Sequence, residues 1–183
     1  MSSNIPGHSA PAVGFEAPLE MLSACHYRIG QQCSTLRRLA RHLLASGNDL
    51  EARAAAASVL RYFETAAAHH HADEEEDLFP ALIESMAGSD AVCLREMTQG
   101  LAADHREMER HWRRLREPLE QLAAGHDVSL PASDVDAFVS AYERHIEREE
   151  REVLPMAARL LSDDVLEAIG RAMRERRGIG PVD

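Results

Sequence analysis

The 183-residue chain is predicted to be all-α: an up-down-up-down antiparallel four-helix bundle with a short C-terminal fifth helix. Three observations predict this. Only 18 residues are Val, Ile or Thr and only eight are aromatic, far fewer than a β-sheet wants. Four long segments carry apolar residues at alternating spacings of three and four, the period of one helix face. Short clusters of Gly, Ser, Asn and Asp separate those segments, and short connections make long helices antiparallel neighbours. The length suffices for one domain with a sizeable core and is too small for two ordinary ones.

Residues 1–16 hold Pro6, Gly7, Pro11 and Gly14 in a polar setting and read as a flexible lead-in to a bundle domain over 17–183. The first helix runs from about Pro18, a good starting residue, to Ala45, with the seam Leu22, His26, Ile29, Cys33, Leu36, Ala40 and Leu43. Ser46-Gly47-Asn48-Asp49 ends it and caps the second, from about Leu50 to Met86. The second seam is Val59, Phe63, Ala66, His70, Glu74 and Ala81. Gly88-Ser89-Asp90 precedes a third helix, about Ala91 to Ala124, with the seam Leu94, Leu101, His105, Met108, Trp112, Leu115, Leu119 and Leu122. A longer loop with Pro131 leads to the fourth, about Asp134 to Leu161, with the seam Phe138, Tyr142, His145, Glu149, Met156 and Leu160. A short fifth helix follows Ser162 and ends near Gly178.

A net charge of −11 argues against nucleic acid or an anionic membrane as the main partner. No apolar run is long enough to span a bilayer. The three cysteines, Cys25, Cys33 and Cys93, form no Cys-x-x-Cys pair, which points away from a disulfide framework or a thiolate zinc site. The N-terminus lacks a basic region and an apolar stretch, so the expected compartment is the cytoplasm. Nothing in the sequence identifies a protein partner.

The seams should be apolar, yet they carry His26, His70, Glu74, His105, His145 and Glu149. A buried carboxylate without a partner costs several kcal/mol, and a metal ion offsets that cost directly. The heights agree. His26 lies about 21 residues before the first turn and His70 about 22 after it; His70 lies about 18 before the second turn and His105 about 17 after it. One pattern also occurs twice: His70-xxx-Glu74-Glu75-xxxx-Pro80 and His145-xxx-Glu149-Glu150-xxxx-Pro155. His and Glu four apart share a helix face. Each half thus supplies one lone His and one His-xxx-Glu pair, a set that suits two metal ions.

Register in the second helix is ambiguous, because His69, His70 and His71 each have an acid four residues on. An alternative seam runs through Leu60, Ala67, His71, Leu78 and Leu82. The equal distance to Pro80 and Pro155 selects His70.

These residues resemble the hemerythrin-like (HHE cation-binding) family. The resemblance rests on His26, on HHADEEEDLFP at 70–80, on Asp104-His105 and on HIEREEREVLP at 145–155. It implies a non-haem di-iron centre, two Fe ions with Mn or Zn as substitutes, with Glu74 and Glu149 as bridging carboxylates. Oxygen-carrying members have a His-xxx-His pair in the third helix; here the positions four away from His105 are Glu109 and Leu101. The ligand set looks more like that of the four-His, two-Glu di-iron proteins linked to repair of iron–sulfur centres and to nitric oxide stress. Those usually carry a cysteine-bearing N-terminal domain, for which this chain has no room.

The leading functional expectation is a binding protein for a small diatomic or peroxide ligand: oxygen, nitric oxide or hydrogen peroxide. A di-iron enzyme, an iron donor for damaged clusters and an iron or oxygen sensor are the alternatives. Glu75, Glu76 and Asp77 read first as a solvated face, with Glu75 and Glu150 also able to hold ligand rings. His8, His42 and His126 read as surface residues, His71 as surface or a contact to a ligand ring. Pro80 and Pro155 read as local kinks.

Overall fold

The structure, a computed structural model, describes residues 14–86 and 89–180. His8 and most of the expected lead-in lie outside them. Helix α1 is Pro18–Ser46, with Pro18 in its first turn; Gly47 closes it at φ 72°, its N–H donating to the Leu43 carbonyl. The Asp49 carboxylate accepts from the Ala52 N–H and starts α2, Leu50–Glu64.

The second rod is not one continuous α-helix, as the spacing predicts. It breaks at Thr65, whose hydroxyl donates back to the Arg61 carbonyl, and resumes as α3, Ala66–Ala72. A π-helical turn, Asp73–Leu78, follows, and then α4, Phe79–Glu84. Helix α5 is Ser89–Ala123. The fourth rod is α6, Ala132–Arg148, a second π-helical turn, Glu149–Val153, and α7, Leu154–Leu160. Helix α8, Asp163–Arg176, ends the chain's described helices.

The two π turns replace the expected kinks. A proline in an α-helix lacks the N–H for the carbonyl four residues back, and its ring clashes with that carbonyl. Widening the turn removes the conflict: the N–H of Phe79, just before Pro80, donates to the Glu74 carbonyl, five residues back. Leu154, just before Pro155, bonds to the Glu149 carbonyl in the same way. The extra residue per turn also moves the buried face. Past Glu74 the interior is lined by Leu78 and Leu82 rather than by Ala81, which is half-buried. Past Glu149 it is lined by Val153, Ala157 and Leu161, whereas Met156 is half-buried and Leu160 exposed.

Helices α1 and α2, α2 and α5, α5 and α6, and α1 and α6 pack against one another, so the four rods close into a bundle. The core is in two apolar parts. One holds Ile29, Leu36, Val59, Phe63, Leu115, Leu119 and Phe138; the other holds Leu22, Leu78, Leu82, Leu101, Val153 and Met173. Helix α8 covers the second part and crosses onto the first π turn. At the end of the expected lead-in, Phe15 lies under the Arg174 and Arg177 guanidinium groups, and exposed Glu16 accepts from Arg174. Gly170 permits this approach, since a Cβ there would stand 2.0 Å from the Phe15 carbonyl oxygen.

Candidate metal centre

Between the two apolar parts lies a polar layer built from all four rods. Helix α1 supplies His26, α3 and the first π turn supply His70 and Glu74, α5 supplies His105, and α6 with the second π turn supplies His145 and Glu149. The structure brings all six of the sequence-selected residues together. Each is only 1–4% exposed, a burial that bare carboxylates and imidazoles do not tolerate without partners.

The six form two overlapping quartets, each able to hold a metal ion: His26, His70, Glu74 and Glu149, and His105, His145, Glu74 and Glu149. Both carboxylates belong to both quartets. Glu74 turns Oε1 toward His70 Nε2 at 3.1 Å and Oε2 toward His105 Nε2 at 3.3 Å. Glu149 places Oε2 at 3.1 Å from both His26 Nε2 and His145 Nε2.

The first test of fit is the set of orphaned atoms. His26 Nε2, Glu74 Oε2 and both Glu149 oxygens are buried without a hydrogen-bond partner. The second is spacing. His105 Nε2 and His145 Nε2 lie 2.9 Å apart. With metal–nitrogen bonds of about 2.1 Å, adjacent corners of an octahedron are about 3.0 Å apart. The donor set fits a divalent cation in each quartet.

The outer nitrogens of two of the rings are held too. Nδ1 of His26 meets Oε1 of Glu150 at 2.6 Å, and Nδ1 of His105 meets Oε1 of Glu75 at 2.6 Å. Asp104 Oδ2 lies 3.7 Å from His145 Nδ1. In neutral His26 and His105, with Nδ1 donating its proton outward, Nε2 would keep its lone pair for a cation in the interior.

Without a cation, the carboxylates instead draw protons onto two of the rings. Burial pulls the His26 pKa down, but Glu149, Glu150 and Glu74 more than reverse this and push it up to about 11. Burial also opposes protonation of His105, and Glu74 and Glu75 again override it upward. Burial pushes the Glu149 carboxyl up, yet the neighbouring His145 and His26 rings hold it well below the ordinary range. His70 has no such surplus: burial, then the neighbouring His26 and His71, drive it well down and keep it neutral.

A cation-binding layer of paired His-xxx-Glu motifs on a helical bundle has a known counterpart. A model of the hemerythrin HHE cation binding domain matches residues 17–157. The chain belongs to the hemerythrin family. It is also similar to an uncharacterized protein of Haemophilus influenzae, 31% identical over 162 residues that span 88% of this chain and 91% of that one.

In this hemerythrin-family chain the residue next to His70 is neither a surface group nor part of either quartet. The His71 ring stacks on the His105 ring, with centroids 4.0 Å apart and planes 10° apart, and its Nε2 lies 3.4 Å from the Tyr142 hydroxyl. Burial, then His105 and His145, hold its pKa well below the ordinary value. His71 and His105 line a groove of about 740 Å³ whose walls include Phe63, Met108, Trp112 and Tyr142.

The acidic run after His71 also meets helix α8. Asp73 is fully buried and gripped by Arg176 and Arg177 of α8. Glu76 stays largely exposed and Asp77 is half-buried, and Arg176 donates to both. The sequence carries both ends of this contact, an acidic run at 73–77 and a basic one at 174–177, but only the return of α8 joins them. His126 is exposed, and His42 is half-buried against Asp49 at 2.9 Å.

Proposed function

We propose that the six residues are the ligands of two iron ions, two imidazoles to each ion with Glu74 and Glu149 shared, in an up-down-up-down bundle. The chain would bind or react with oxygen, nitric oxide or peroxide. The single observation that carries this reading is Glu74, which offers a separate oxygen to each histidine pair. Nitrogen and carboxylate donors without thiolate suit iron, with manganese and zinc as the competing ions. Two imidazoles and two shared carboxylates leave coordination positions open, and bound iron would supply redox-active sites there. His71 and Tyr142 line the groove on the His105 side and would meet a small ligand arriving through it.

The groove is roomier than a diatomic molecule needs, which favours a di-iron enzyme as the second reading. The three free cysteines support a reducing, cytoplasmic setting. Among the described residues no helix is long and apolar enough to cross a membrane.

The test is optical. Protein purified without oxygen and loaded with ferrous iron should give a new absorption band on adding oxygen, nitric oxide or hydrogen peroxide. Steady consumption of the added molecule would select the enzyme. An iron-loaded protein whose spectrum stays unchanged with all three would overturn the ligand-binding reading.

A further inference from the structure

Helix α8 makes one contact that reaches the metal-binding turn itself. Asp73 lies between His70 and Glu74 in the chain, and its own N–H bonds to the His69 and His70 carbonyls. Its side chain is 0% exposed. Arg177 grips the carboxylate with both arms of its guanidinium, Nη2 donating to Oδ2 at 2.6 Å and Nη1 to Oδ1 at 3.1 Å. Arg176 Nη1 donates to Oδ1 as well, while its Nη2 reaches Glu76 at 2.9 Å and Asp77 at 2.8 Å. Two-armed arginine–carboxylate pairs fix orientation as well as distance, and a buried carboxylate cannot be left without its partner.

The second motif has no such grip. Its residue equivalent to Asp73 is Arg148, half-buried, which pairs with Glu152 at 3.7 Å on its own rod. The residue equivalent to Glu76 is Arg151, which pairs with Glu147. The clamp therefore acts on one half of a repeated structure. Its arginines also lie beyond residues 17–157, which the family model matches.

We propose that Arg176 and Arg177 are positioning residues for the metal centre: through Asp73 they hold the backbone between His70 and Glu74, so that the C-terminal helix governs how firmly the first motif keeps its metal. The metal part rests on the di-iron reading; the backbone part does not. Asp73 and Glu74 share one π turn, so an outside grip on the first holds the backbone that aims the second.

The full-length chain tests this with Arg177→Gln and Arg176→Gln, and with Arg174→Gln as control, whose side chain, among the described residues, donates to exposed Glu16 and lies over the Phe15 ring. Amide hydrogen exchange on the metal-free proteins should quicken about tenfold over 70–79 in the two clamp variants and stay unchanged over 145–154. The second motif thus serves as an internal reference for general loss of stability. On iron-loaded protein, transfer of metal to a chelator should quicken about tenfold in the same two variants, with helix content unchanged by circular dichroism. The control should match the parent in both measurements. If Arg177→Gln does not fold, Arg177→Lys, which keeps the charge but loses the second arm, should show the same changes in smaller measure. Equal quickening in both motifs, or none in either, would overturn the clamp. A parent chain that takes up no iron, with exchange still quickened only over 70–79, would overturn the di-iron reading and leave the clamp standing.

Discussion

Nδ1 of His26 and Oε1 of Glu150 are 2.6 Å apart, although 124 positions separate the residues in the chain. The same relationship recurs between His105 and Glu75, also at 2.6 Å. Each lone histidine is oriented by the acid that follows the shared glutamate of the other half, so the two halves interlock at the metal layer.

Removing either acid should weaken metal binding. Glu150→Ala and Glu75→Ala are each expected to lower metal affinity about 10- to 100-fold. Glu150→Gln should cost less, because its amide oxygen still accepts from Nδ1. Competition with a chelating dye measures this; a full-affinity Glu150→Ala variant would show that the contact does not tune the histidine.

His70 and His71 should separate cleanly. His70 Nε2 faces Glu74 at 3.1 Å, whereas His71 stacks on His105 and bonds to Tyr142. His70→Ala should lose metal and destabilise the fold by several kcal/mol, because Glu74 is left poorly compensated. His71→Ala should keep the metal stoichiometry with at most about a tenfold loss in affinity. Iron analysis of both variants, loaded side by side, checks this; loss of iron from the His71 variant alone would assign the ligand to the wrong neighbour.

Apart from the break at Thr65, the sequence reading of the bundle fails at the two π turns. Helix starts and stops follow from Pro18, Asp49 and the glycine clusters, and polar residues on apolar seams mark the six residues of the layer. The seams beyond Glu74 and Glu149 slip by one residue in both motifs, because α-helical counting cannot register an added residue in a π turn. The signal was present in Pro80 and Pro155, each six residues after the glutamate, but its obvious reading was a kink. Asp73 was not legible: three neighbouring histidines with acids four residues on made it one acid among several, and its partners sit about 100 positions away.

Stability of the metal-free chain should fall with rising pH. The folded pKa of His26, about 11, lies above its ordinary 6.5. A raised pKa contributes stability that is complete below about 6.5 and is lost progressively as pH climbs to about 11. The melting temperature after chelation should therefore be lower at pH 9 than at pH 6.5, and His26→Gln should flatten that slope. A slope unchanged by the substitution would remove His26 as its source.

Thiol reactivity checks the packing of α1. Cys93 is exposed, whereas Cys25 and Cys33 are buried, and burial pushes the Cys33 thiol up to about 12. Native protein at pH 8 should label rapidly at one thiol and at all three only in denaturant. Rapid labelling of three in the native state would contradict the buried face of α1.

The central claim is that Glu74 and Glu149 each serve two ions. Its most direct measurement is anaerobic titration of the chelated protein with ferrous iron, followed by elemental analysis of the desalted product. Two irons per chain are expected, with at most one retained in Glu74→Ala. One iron or none in the parent chain, or two retained without Glu74, would contradict it.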